Sequence, residues 1–158
     1  MKAIDLNATY LTLVNEGATL FGDGKPEAAL GVFWKAFRLQ PSAPVVLFNI
    51  GRAMEELNDP RMEDFYAAAA SQGNTDAFYQ LATYYVRTER KEAAVGSLRA
   101  YLNSKPSEDE CTQWARQTLF ALMPPTGLTL IWKNPKKVKK PAKLSRKDSQ
   151  KQVKFGIL

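Results

Sequence analysis

The sequence predicts an all-α solenoid: three antiparallel helix pairs, then a C-terminal capping helix and a basic tail. Two kinds of observation lead there: internal self-similarity, and turn signals that fall at the repeat edges. A displacement of 65 residues carries Leu13 onto Phe78, Gly17 onto Ala82, Leu20 onto Tyr85, Ala29 onto Ala94, Phe33 onto Leu98 and Pro41 onto Pro106. A third copy lies between them, since Leu47-x-x-Ile50-Gly51-x-x-Met54 repeats Leu13-x-x-Glu16-Gly17-x-x-Leu20 after 34 residues. The next step, Gly51 to Ala82, is 31, so the middle repeat is three residues short.

The turns agree with the period. Asp23-Gly24-Lys25-Pro26 and Asn58-Asp59-Pro60 separate the helices of the first two pairs and put proline near the first turn of each second helix. Gly73-Asn74 and Ser104-Lys105-Pro106 close second helices. A seventh helix is predicted after Ser107-x-x-Glu110, a capping-box pattern, with Trp114, Ala115, Thr118, Leu119 and Leu122 at helical spacing and Pro124-Pro125 as its stop. A helix there covers the apolar face that the last repeat of a solenoid would otherwise expose.

Residues 10–43, keeping Gly17, Ala29, Phe33, Ala36 and Pro41, resemble the tetratricopeptide (TPR) repeat family. The middle repeat, residues 44–74, resembles the related short-helix variant through Phe65-Tyr66-Ala67-Ala68-Ala69-Ala70-Ser71-Gln72-Gly73-Asn74. The resemblance implies a right-handed solenoid of three TPR helix pairs whose first helices line a concave groove. The small residues Gly17, Gly51, Ala82, Ala29 and Ala94 let helices approach closely, while Phe33, Tyr85 and Leu98 fill the space between them. That pattern is a packing code and specifies no chemistry.

By the same resemblance the groove positions are Leu11, Val14, Ala18 and Phe21, then Phe48, Asn49 and Arg52, then Tyr79, Thr83 and Arg87. The set is apolar at one end and polar at the other, which suits an extended or helical peptide with apolar anchors. Arg52 and Arg87 equally suit surface ion pairs with Glu55, Glu56 or Glu89. Some TPR proteins bind the C-terminal carboxylate of heat-shock chaperones through a Lys-Asn-Asn-Lys-Arg set. The corresponding positions here hold Val14, Ala18, Asn49, Asp76 and Gln80, of which only Asn49 matches. Three repeats also resemble, in architecture alone, the TPR chaperones of type III secretion.

Charge divides the chain. Residues 1–132 carry 12 Lys/Arg against 15 Asp/Glu, and residues 133–158 carry 10 against 1, so the net +6 is a property of the tail. The solenoid with its capping helix is assigned to residues 1–123. The remainder, 124–158, comprises a β-prone segment, Leu128-Thr129-Leu130-Ile131-Trp132, and a Lys/Pro-rich tail expected to be disordered. Lys136, Lys137, Lys139, Lys140, Lys143, Arg146 and Lys147 make the tail a candidate for anionic nucleic acid or acidic lipid, with no aromatic side chain interleaved for base stacking. The end, Val153-Lys154-Phe155-Gly156-Ile157-Leu158, is apolar enough to suggest self-association through a groove.

Histidine is absent, which excludes Ser-His and Cys-His catalysis and removes the commonest metal ligand. The lone Cys111 forms no internal disulfide and reads as a partly buried helix residue. No glycine-rich phosphate loop or ligand cluster is present, so neither cofactor nor metal is implied. The expectation is a cytoplasmic, non-catalytic protein-interaction module (adaptor, assembly factor or chaperone), with anionic-surface binding through the tail as the alternative.

Overall fold

The structure is a computed structural model and describes residues 5–105 and 107–123. The β-prone segment 128–132, the basic tail, the apolar C-terminal end and Pro106 all lie outside the described residues. Among the described residues seven helices follow in order: α1 (Leu6–Gly22), α2 (Pro26–Leu39), α3 (Pro44–Glu56), α4 (Met62–Ser71), α5 (Thr75–Arg87), α6 (Lys91–Ser104) and α7 (Glu110–Leu122). Among the described residues there is no strand, and no helix is long and apolar enough to cross a membrane.

Four of the connections use one device. Helices α1, α3, α4 and α5 each end with a residue in the left-handed conformation, followed by an amide that reaches five residues back. Gly24 (φ 73°) precedes the bond from Lys25 N–H to the Leu20 carbonyl, and Asn58 (φ 55°) precedes Asp59 to Met54. Gly73 (φ 89°) precedes Asn74 to Ala69, and Glu89 (φ 57°) precedes Arg90 to Tyr85. This closure satisfies carbonyls that the helix end leaves free, and it needs a positive φ that only glycine adopts without cost. Gly24, Gly73 and Asn58 suit it; Glu89 does not. Helices α2 and α6 stop differently, at Gln40 (φ −140°, ψ 82°) and Lys105 (φ −115°, ψ 106°), non-helical residues that each precede a proline.

Two sequence expectations about helix starts change in detail. Pro26 is the first residue of α2, but Pro60 lies in the turn two residues ahead of α4. The cap of α7 is Asp109 and not Ser107. Its Oδ1 accepts the Thr112 N–H at 2.9 Å, and the Asp109 N–H donates to Thr112 Oγ1 at 2.8 Å. Lys105 Nζ, 2.7 Å from the Asp109 carboxylate, holds it in place.

Consecutive helices pack as three pairs, α1 with α2, α3 with α4 and α5 with α6, and α7 closes on α6. The approach is closest at the small residues the repeat predicts. A Cβ on Gly17 would stand 2.6 Å from Phe33 Cδ1, and one on Gly51 would stand 2.7 Å from Tyr66 Cδ1, both inside van der Waals contact. Phe33 and Tyr66 are correspondingly sealed, at 1% and 0% exposure. In the third pair Ala82 and Leu98 sit together in a smaller cluster with Tyr101 and Ala115, while the main cluster runs unbroken from α1 into α5. The short middle repeat is visible as α4, 10 residues against 14 in α2 and α6.

Candidate functional site

The first helix of each pair forms one layer, in which α1 touches α3 directly as well as its own partner α2. On α1 this layer exposes Leu11 (52%) and Ala18; on α3 it exposes Val45 (49%) beside the partly buried Phe48, Asn49 and Arg52. On α5 it presents Tyr79 and Thr83, both partly buried, and the exposed Arg87.

Val14 does not belong to this surface. It is buried with Tyr10 and Gly17, because that stripe of α1 is spent on the core. Leu11 and Val45 are the aliphatics that the layer exposes instead. Val45 is not among the groove positions that the resemblance implies, although the 34-residue displacement that relates Gly17 to Gly51 carries Leu11 onto it.

Across α1 and α3 the structure brings three predicted residues together. The Arg52 guanidinium lies 4.5 Å from the centre of the Phe21 ring and 5.9 Å from that of Phe48. Phe48 in turn leans on Tyr66, ring centres 5.7 Å apart. The negative face of an aromatic ring attracts a guanidinium and restricts its rotamers, so Arg52 is held without a carboxylate. Among the described residues it forms no ion pair, whereas Arg61, Arg87, Arg90 and Arg116 each do.

The α5 side is wired into the protein. Glu55 accepts a hydrogen bond from the Tyr66 hydroxyl at 2.7 Å and pairs with Arg87 at 3.5 Å, tying α3 to α4 and α5. Burial, with the Glu55 carboxylate beside it, holds the Tyr66 phenol far above its ordinary pKa. The Thr83 hydroxyl donates to the Gln80 carbonyl at 2.8 Å. The Tyr79 ring packs against Tyr101 at 5.3 Å and Trp114 at 5.2 Å, so it seats α7. Burial pushes its phenol upward, and the neighbouring Cys111 adds to that shift. A second bracket joins α4, α5 and the start of α6. Glu63 takes the Tyr85 hydroxyl at 2.9 Å and Arg90 Nη1 at 2.6 Å, which lowers the Glu63 pKa, and burial lifts the Tyr85 phenol to about 12.

A depression of about 400 Å³ that involves none of these groove residues lies among Phe37, Pro41, Leu47, Phe65 and Ala68. It sits where the second helices α2 and α4 meet edge to face, through Trp34 with Phe65 at 5.4 Å and Phe37 with Phe65 at 6.3 Å.

No family model matches the chain, and no curated protein matches it. Solved structures do. The first TPR domain of Spaghetti (RPAP3), bound to the HSP90 peptide SRMEEVD, is 23% identical with a TM-score of 0.63, over 72% of this chain and 92% of that one. The type III secretion chaperone SycD of Yersinia enterocolitica, in complex with a peptide of the translocator YopD, is 15% identical with a TM-score of 0.67, over 73% and 92%. A further structure of SycD reaches 0.68 at 17% identity, over 76% and 86%. The fold is the TPR solenoid. At these identities the likeness concerns fold alone, and the TPR groove of this chain has to be read from its own residues.

Proposed function

We propose that this chain is a protein-interaction module, an adaptor or chaperone that holds a segment of a partner protein on the groove formed by its first helices. The observation that carries the reading is the α1–α3 surface, where Leu11 and Val45 stand half exposed beside an arginine held by rings and not by a carboxylate. Aliphatic side chains in that state gain from being covered, at roughly 25 cal/mol per Å² of apolar area removed from water. The RPAP3 and SycD structures are each in complex with a peptide, which supports the same use of this fold here.

Neither the aromatic bracket nor the carboxylates present a paired acid and base, so binding and not catalysis is the activity that the surface supports. A photo-cross-linking amino acid placed at Leu11, Val45 or, on the exposed face of α2, Lys35 tests the reading in the source cell. A defined protein captured from positions 11 and 45 and not from 35 is expected. Identical products from all three positions, or none from any, would sink it.

A further inference from the structure

The proposed groove leaves open what kind of segment it takes, and Arg52 narrows the choice. We infer that the α1–α3 groove reads an extended segment carrying a large aliphatic residue three positions from an Asp or Glu, the aliphatic seated between Leu11 and Val45 and the carboxylate on Arg52. This inference rests on the groove being the binding surface.

Three features support it. Arg52 is partly buried, its guanidinium stacked on Phe21 from α1 and near Phe48 on its own helix, which removes water from one side of the charge without supplying an anion. Neither neighbouring carboxylate on α3 pairs with it among the described residues. Glu55 is engaged by the Tyr66 hydroxyl and by Arg87, while Glu56, one turn further along α3, is exposed and forms no ion pair with Arg52 among the described residues. An incoming carboxylate therefore meets a charge already oriented and partly desolvated, the condition in which a guanidinium–carboxylate bond contributes most.

The spacing follows from helix geometry. Val45 and Arg52 are seven residues apart on α3, about 10 Å along the axis at 1.5 Å per residue. An extended peptide covers about that distance in three residues. Arg52 is not one of the five positions that match the heat-shock carboxylate set, and three of those five hold Val14, Ala18 and Asp76, which cannot donate to a carboxylate. The acid recognised here is a side chain inside a segment.

The test is selection of phage-displayed random decapeptides on the full chain, in parallel for wild type, Arg52→Glu and Val45→Asp. Wild type is expected to enrich an aliphatic residue and an Asp or Glu three apart. Arg52→Glu should exchange the acid for Lys or Arg at the same spacing, and Val45→Asp should lose the aliphatic. For one selected peptide, replacing its acid by the amide should weaken wild-type binding about tenfold and binding to Arg52→Gln less than twofold. A wild-type pool with an aliphatic consensus and no acid overturns this inference and leaves the groove reading intact. A pool with no consensus overturns both. Because the acid-to-amide arm runs on wild type, the test survives even if the Arg52→Glu variant fails to fold.

Discussion

The two ends of the groove are built from similar residues put to opposite uses. Across α1 and α3 the aliphatics Leu11 and Val45 face solvent and Arg52 rests on aromatic rings. Across α5 and α7 the aromatic Tyr79 is occupied by Tyr101 and Trp114, Thr83 bonds within its own helix, and Arg87 is paired with Glu55. One end keeps its contacts available while the other uses them to hold the last repeat and its cap. The difference matches the cores beneath. The first two pairs share a cluster that runs on into Ala77 and Leu81 of α5, whereas the third pair meets α7 through a smaller cluster of Ala82, Leu98, Tyr101 and Ala115 with partly buried aromatics around it.

The largest expected effect probes the seams themselves. Gly51→Val forces a branched side chain into the Tyr66 ring and should cost about 3 kcal/mol, whereas Ala82→Gly in the third pair should cost about 1 kcal/mol. Thermal unfolding followed by circular dichroism measures both. Equal losses would mean that the close approach at Gly51 is not the tighter of the two.

Tyr66→Phe removes one buried hydroxyl and leaves Glu55 to Arg87 alone. A loss of about 1 kcal/mol is expected by the same measurement. Glu89→Gly should move the other way and stabilise the α5 end by roughly 0.5–1 kcal/mol, because it relieves the left-handed backbone that Gly24 and Gly73 adopt freely. No change would show that the strain at residue 89 is already offset.

The smallest effect is electrostatic. Arg90 and Tyr85 lower the folded-state pKa of Glu63 below its ordinary 4.5. A depressed carboxylate pKa contributes stability above the unfolded value and loses it as pH falls through the folded one. Stability should therefore decline below about pH 4.5, and Glu63→Gln should flatten that decline. An unchanged acid limb in urea titrations would discount the bracket.

Helix count, pairing and turns were legible in the sequence because the repeat writes them redundantly, in small residues, in Gly/Asn turns and in prolines. Tyr66 was harder to see in its role: Phe33 follows Gly17 by sixteen residues and Leu98 follows Ala82 by sixteen, but Tyr66 follows Gly51 by fifteen. The short repeat shifts the space-filling residue by one position. The α7 cap is ambiguous in the sequence because serine and aspartate are both good caps, and Lys105 decides for Asp109.

The site was less legible than the fold. Arg52 and Arg87 look alike beside Glu55 and Glu56 on paper, and only the packing of α1 on α3 brings Phe21 beneath one of them. Val14 and Leu11 sit one helical turn apart, and the core takes Val14.

The most direct measurement is calorimetric titration of one groove ligand, a captured partner segment or a selected decapeptide, into wild type, Val45→Asp and Thr83→Asp. The α1–α3 end being the reading surface predicts at least a tenfold loss for Val45→Asp and less than a twofold loss for Thr83→Asp. Equal losses, or a loss confined to Thr83→Asp, would contradict it.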